Sequence, residues 1–348
     1  MWAKVLGPTG RTDKSAVAMA VAAAAALWLW AEPALSLELQ LPIDCVPGKT
    51  CFVQNYPDDD ATGGHATDYA CSGATYPGHD GTDFRVLSVA AARGVKVLAA
   101  AAGIVKGVRD GERDHLMLTP EDKAAIAGKE CGNGVVIDHG DGWITQYCHM
   151  HAGSLRIHPG EHVVAGAVLG EVGQSGETQF AHVHLSVRHH GEKIDPFLGA
   201  ALKSACQAEG HAGGAPSLWR ADVLAALGPP ATVLLETGFT DNPVTQAALE
   251  EGHAQAQPLQ SLSPLLVLYA RVMHLRQGDR IHFQATLPEG PPIDQTTAAM
   301  PRDQAAPVYA VARRRTGAAW PTGTYIGHVD VLRNGAAIAS GDTGVELR

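Results

Sequence analysis

Ala181-His182-Val183-His184-Leu185-Ser186-Val187 alternates so that His182, His184 and Ser186 share one face of a strand while Val183, Leu185 and Val187 share the other. A strand of this kind is half-buried and presents two imidazoles side by side. Alone, such a His-x-His is most often a pair of surface histidines. It acquires chemistry when read with His79-Asp80-Gly81-Thr82-Asp83 earlier in the chain. Gly78 and Gly81 argue against placing His79 and Asp83 on one helical face, so these two side chains converge through a loop or a strand end. Together the two stretches offer ligands for one divalent metal. A zinc site built from His and Asp with an open fourth position is a catalytic design, because structural zinc sites close all four positions and lean on Cys.

Around these stretches, residues 84 to 187 consist of short apolar runs split by glycine. They are Val95 to Ala100, Gly103 to Val108, Val135 to Ile137, Trp143 to Tyr147, Val163 to Leu169 and His182 to Val187. Many short strands with glycine turns predict a mainly β unit, a compact antiparallel sheet. A polar excursion from Arg109 to Glu130 interrupts it, with a short helix expected from Pro120. Residues 37–78, rich in Pro, Asp and Gly, read as a disulfide-pinned segment leading into the metal-binding unit, which spans 79–208. A Gly/Ala-rich linker, 209–217, precedes 218–348. There, runs of strand length and the tight-turn pair Asn334-Gly335 predict a small β-sandwich-like domain. Its histidines, His253, His274, His282 and His328, are scattered and read as surface or packing residues.

The 348 residues carry a formal net charge of -10, which argues against a nucleic-acid groove or an anionic-membrane surface. Lys4, Arg11 and Lys14 precede the apolar run Ala16 to Trp30, and Ala34-Leu35-Ser36 fits a small-x-small cleavage site, so residues 1–36 read as a secretory signal peptide. The run falls short of the ~20 residues a membrane span needs, and no stable span is expected after cleavage. The protein is thus expected to be periplasmic or extracellular.

Six cysteines follow the cleavage point, none in a Cys-x-x-Cys pair, and an even count in an exported chain favours disulfides. Cys131 to Cys148 reads as a hairpin. With Asp138 facing Asp141, Cys131 falls opposite Cys148. Cys45 and Cys51 close a short loop, which leaves Cys71 for Cys206.

The segment Tyr147-Cys148-His149 adds a histidine at the end of that hairpin. His-x-x-x-Asp, Tyr-x-His and His-x-His, in this order among glycine-rich strands, resemble the LytM/lysostaphin-type zinc endopeptidases that cut cell-wall peptides. The resemblance covers roughly residues 65 to 197 and includes the glycine-punctuated lead-in Gly166 to Gly176. It implies one zinc ion per chain held by His79, Asp83 and His184, with His149 and His182 as the catalytic histidines. It also implies a peptidoglycan cross-link as substrate, with a Gly-rich peptide as the other choice. Phe180-Ala181 stands where many members have Gly-Pro and Met150 where Leu is usual, departures that bear on substrate fit more than on catalysis. A catalytically inactive module that regulates other wall hydrolases is the alternative, and such modules typically lose a ligand. Tyr147 reads as a packing residue and His139 as part of the hairpin turn.

Overall fold

A computed structural model describes residues 37–60, 64–203, 216–253 and 259–348. The expected signal peptide, most of the expected linker and Cys206 lie outside the described residues. The architecture is mainly β. A large antiparallel sheet orders its strands Phe52–Asn55, Thr82–Arg85, His182–His189, Trp143–Met150, Asn133–Gly140, Gly103–Arg109 and His162–Val163. The His-x-His strand is therefore interior to the sheet, hydrogen-bonded on both sides. Val183, Leu185 and Val187, on its other face, are fully buried in the apolar core packed there.

The expected run Val163 to Leu169 is not one strand. His162–Val163 extends the main sheet against Gly103 and Ile104, whereas Val168–Glu171 pairs with Lys96–Leu98 in a separate two-stranded ribbon. Gly166, at φ 82°, turns the chain between them. Nor is 37–78 a loop region throughout. Phe52–Asn55 pairs with Thr82–Arg85 and forms a strand of the main sheet. Its glycine- and proline-rich surroundings hide so short a strand from any periodicity argument.

The hairpin expected between Cys131 and Cys148 forms, but in another register. Asp138 pairs with Ile144 rather than facing Asp141, and Gly140 pairs with Trp143. The two central turn residues are Asp141 and Gly142, at φ 49° and 77°, the left-handed pair that a tight hairpin turn demands. Cys131 lies before the paired stretch, beyond a register irregularity between Asn133 and Val135, and the chain bends back there. The Cys131–Cys148 disulfide forms across a Cα separation of 4.8 Å, and Cys45–Cys51 forms as expected. The short helix Pro120–Ala125 is also present, capped reciprocally by Thr119 and Asp122.

In the C-terminal part, a three-stranded sheet (Val233–Thr240, Leu265–Met273, Val308–Arg314) faces a four-stranded one (Ile293–Thr296, Arg280–Thr286, Gly323–Arg333, Ala336–Leu347). Leu266, Leu268, Ala270 and Val272 from the first meet Ile281, Phe283, Tyr325 and Val329 from the second in one apolar core. Leu218, Trp219 and Val223, drawn from sequence into this part, instead pack with the core of the main sheet. The Leu39 N–H donates to the Leu218 carbonyl at 2.7 Å, which fixes that passage to the N-terminal segment.

Asp59, in the loop after the first strand, and Asp195, at the end of the Glu192–Asp195 strand, are both fully buried. Burial raises the Asp59 carboxyl, neighbouring Asp195 partly offsets this, and nearby Asp58 and Asp68 raise it again. Burial lifts Asp195 well above the usual carboxylate range, and Asp59 adds to the effect. An acid with a raised folded-state pKa binds a proton more tightly when folded, so its contribution favours folding at low pH and is lost as pH rises. Asp59→Asn removes the like charge. Its melting temperature, measured by calorimetry, is expected to exceed that of the wild type increasingly from about pH 5 to about pH 8. A constant difference across that range would show that the two carboxyls do not share a proton.

Candidate metal centre

The sheet register assembles the site. Across the Thr82–Arg85 and His182–His189 pair, Asp83 is the partner of His184 and Arg85 the partner of His182. On the other side, Cys148 is the partner of His184, which brings the neighbouring His149 alongside. His79 arrives from the loop preceding Thr82. That loop passes so close to the His-x-His strand that a Cβ on Gly81 would lie 2.5 Å from the Leu185 carbonyl oxygen and 2.6 Å from His184 Nε2. Only glycine fits there, which gives the motif's central residue a steric reason.

His79 Nε2, Asp83 Oδ1 and His184 Nδ1 converge at separations of 3.1 Å, 2.8 Å and 3.2 Å. Among the described residues this is the one group of three or more His, Cys, Asp or Glu side chains spaced to hold a metal ion. Ligands ~2.0–2.2 Å from a tetrahedral zinc lie about 3.3–3.5 Å apart, so the three donors need to open by only a few tenths of an ångström to take one.

The remaining contacts orient those donors. His79 Nδ1 lies 2.7 Å from the Tyr56 carbonyl oxygen, an atom that only accepts, so this nitrogen holds the proton and Nε2 presents its lone pair. His184 Nε2 lies 3.3 Å from Asp80 Oδ1, and Lys193 reaches the other Asp80 oxygen at 2.8 Å. Asn55 Nδ2 donates to Asp83 Oδ2 at 2.8 Å, leaving Oδ1 for the cluster.

Electrostatics favour a cation here. Burial alone would raise the Asp83 carboxyl, but His79, His182 and His184 outweigh it and hold the group well below the carboxylate range. Burial opposes charge on the His184 ring, yet Asp80 and Asp83 on its two nitrogens push it up to about 9. A field that favours a proton at this place also favours a divalent ion.

His182 and His149 complete the cluster without joining the triad of converging donors. His182 Nδ1 lies 2.9 Å from the Phe180 carbonyl oxygen and 3.0 Å from Thr178 Oγ1. His149 Nδ1 lies 2.8 Å from the Ser175 carbonyl oxygen. Both rings therefore carry their proton on Nδ1 and offer Nε2. Burial, then His182 and His184, push the His149 ring well below its ordinary range, so it is neutral at neutral pH. The two rings lie 4.6 Å apart. His149 is held at φ 64° with its N–H bonded to the Cys131 carbonyl at 2.8 Å, one residue from the disulfide.

The five histidine and aspartate positions singled out from sequence are thus brought together, and two others are not. Tyr147 is fully buried and its hydroxyl accepts the Ala100 N–H at 2.6 Å, a packing role. His139 bonds the Ala102 carbonyl at 2.7 Å and sits in a strand rather than a turn. Sequence reasoning passed over Asn55, Tyr56 and Asp80. Asp80 stands inside the motif itself and was open to notice, but nothing in the sequence pattern marks Asn55.

Residues 77–196 match the model of Peptidase family M23. Over those residues the chain is similar to peptidase family M23. The cell division protein DipM of Caulobacter vibrioides is 29% identical over 100 residues, which span 26% of this chain and 16% of that protein. The chain thus matches only a small part of that relative's length. Among solved structures, the catalytic domain of the prophage-encoded M23 protein EnpA from Enterococcus faecalis is 25% identical, covering 34% of this chain and 75% of that one, with a TM-score of 0.26. The catalytic domain of lysostaphin from Staphylococcus simulans is 18% identical, covering 41% and 87%, with a TM-score of 0.27.

If Asn55 and Asp80 orient the metal-facing atoms, Asn55→Ala and Asp80→Ala are each expected to weaken divalent-metal binding by roughly 10–100-fold. Competition against a chromophoric chelator measures this. Unchanged affinity in both variants would assign those contacts a purely structural role.

Proposed function

We propose that this protein is an exported zinc endopeptidase that hydrolyses peptide bonds in peptidoglycan cross-links. The observation that carries the reading is the convergence of His79 Nε2, Asp83 Oδ1 and His184 Nδ1 at near-tetrahedral spacing beside two proton-handling imidazoles. His79, Asp83 and His184 hold the ion in this reading, and the donor set, two neutral nitrogens and one carboxylate oxygen, suits zinc at a catalytic site. When bound, such an ion polarises a peptide carbonyl and lowers the pKa of an attacking water.

The chain's own groups account for the proton traffic. His149, neutral because it is buried among other histidines, offers Nε2 to take a proton. His182 presents Nε2 at 3.4 Å from Asp83 Oδ1, on the same side of the sheet as the metal-facing atoms. One of these rings removes the proton from water, and the other, once protonated on Nε2 as well, stabilises the oxyanion or gives that proton to the leaving amine. The Ser175 and Phe180 carbonyls fix both tautomers, so neither ring must reorient before it acts. Two formed disulfides fit an oxidising compartment outside the cytoplasm. No helix among the described residues is long and apolar enough to cross a membrane.

Incubating the protein with isolated muropeptides, with and without a chelator, and identifying products by mass spectrometry tests the reading. Chelator-sensitive cleavage within the peptide stems is expected. His149→Ala should lower turnover by roughly 10²–10⁴-fold with zinc content unchanged. Loss of zinc in that variant would place His149 among the ligands and overturn the assignment.

A further inference from the structure

Three fully buried charges lie behind the site: Arg85, Glu250 and Arg271. Arg85 ends the strand that carries Asp83, and its guanidinium donates to the Gln54 side chain, to Glu250 Oε2 at 2.9 Å, to the Val86 carbonyl at 3.1 Å and to the Leu87 carbonyl at 3.4 Å. Glu250 belongs to the helix Gln246–Glu251 of the C-terminal part. Its other oxygen accepts from Gln246 at 2.7 Å and lies 3.3 Å from Arg271 on the strand Leu265–Met273. Burial lowers Arg85 to about 10, with Glu250 opposing the shift, so the guanidinium stays charged at neutral pH.

On its other side, the Arg85 guanidinium carbon lies 5.1 Å from the centroid of the Phe180 ring, within cation–π range. That ring is also stacked on His182, at 4.2 Å between centroids and 25° between planes. The Phe180 carbonyl also fixes the His182 tautomer. A continuous run of contacts thus leads from Glu250 through Arg85 and Phe180 to His182, while the other neighbour of the His182 ring is the His149 ring at 4.6 Å. Removing one member of a buried charge pair leaves the other uncompensated and shifts it. Here the group that would shift supports a ring lying against His182.

We propose that Arg85, clamped by Glu250 from the C-terminal sandwich, is a positioning residue that fixes the His182 imidazole through the Phe180 ring. This rests on the reading that His182 takes part in turnover. The C-terminal part then contributes to the site by supplying the counter-ion beneath it, without touching substrate.

The test uses the full chain with zinc, histidine rings labelled with ¹³C, and the His182 signals assigned by their disappearance in His182→Gln. Phe180→Leu and Glu250→Gln are each expected to move the His182 ring signals and to lower kcat by about tenfold or more, since small misplacements of reacting groups carry such losses. KM and bound zinc should stay as in the wild type. Phe180→Tyr, which keeps the ring, should retain both signals and turnover. The Phe180→Leu/Glu250→Gln double variant should lose no more than the worse single one, because both act on one element. Losses that multiply, or ring signals unmoved in both single variants, overturn the proposal and leave the ion pairs as structural glue. Should Glu250→Gln fail to fold, Arg85→Met, which leaves Glu250 paired with Arg271, takes its place. A wild-type chain without turnover would defeat the proposed function, while the ring signals would still report whether Phe180 and Glu250 position His182.

Discussion

Everything at the site depends on one strand pairing, that of Thr82–Arg85 with His182–His189. Antiparallel partners place their side chains on the same face at fixed separation. Setting Asp83 against His184 therefore also sets Arg85 against His182. A slip of one residue would turn both histidines and both partners to opposite faces. The pairing cannot slip easily, because Val183, Leu185 and Val187 are buried on the other face. Apolar burial thus fixes the register, and the register fixes the positions of the polar side chains.

A cluster of three histidines and a carboxylate with almost no exposure would be costly without compensation. The structure supplies it from behind. Tyr56, Ser175 and Phe180 carbonyls take the ring N–H groups, Asn55 satisfies the second Asp83 oxygen, and Asp80 is itself held by Lys193. Every one of these partners leaves a lone pair or a charge facing the same small space. The orientation of the donors is set before any ligand arrives, which is how a buried site keeps reorganisation small during a reaction.

Much of this was legible in the sequence, for physical reasons that differ by element. Period-two alternation with glycine punctuation marks strands such as His182–His189 and Leu265–Met273 because burial on one face leaves that pattern. His79, Asp83 and His184 stand out because metal chemistry restricts the residue types, while the roles of His149 and His182 came with the resemblance. The hairpin register differs from the expected one because two turns are open to the stretch Asp138 to Trp143. Only the left-handed demand at Asp141 and Gly142, together with the irregularities that bring Cys131 back to Cys148, decides between them. The strand Phe52–Asn55 and the helix Gln246–Glu251 leave no local pattern because both are short and owe their place to tertiary partners. Asn55 and Glu250, the residues they deliver, act through contacts made across long sequence separations, and no local pattern encodes those.

The measurement that bears most directly on the account is a crystal structure of the zinc-loaded chain with anomalous diffraction recorded on both sides of the zinc edge. One peak should lie within ~2.0–2.2 Å of His79 Nε2, Asp83 Oδ1 and His184 Nδ1, with His149 and His182 outside bonding distance of the metal. A peak bonded to His149 or His182, or no peak at this cluster, would contradict it.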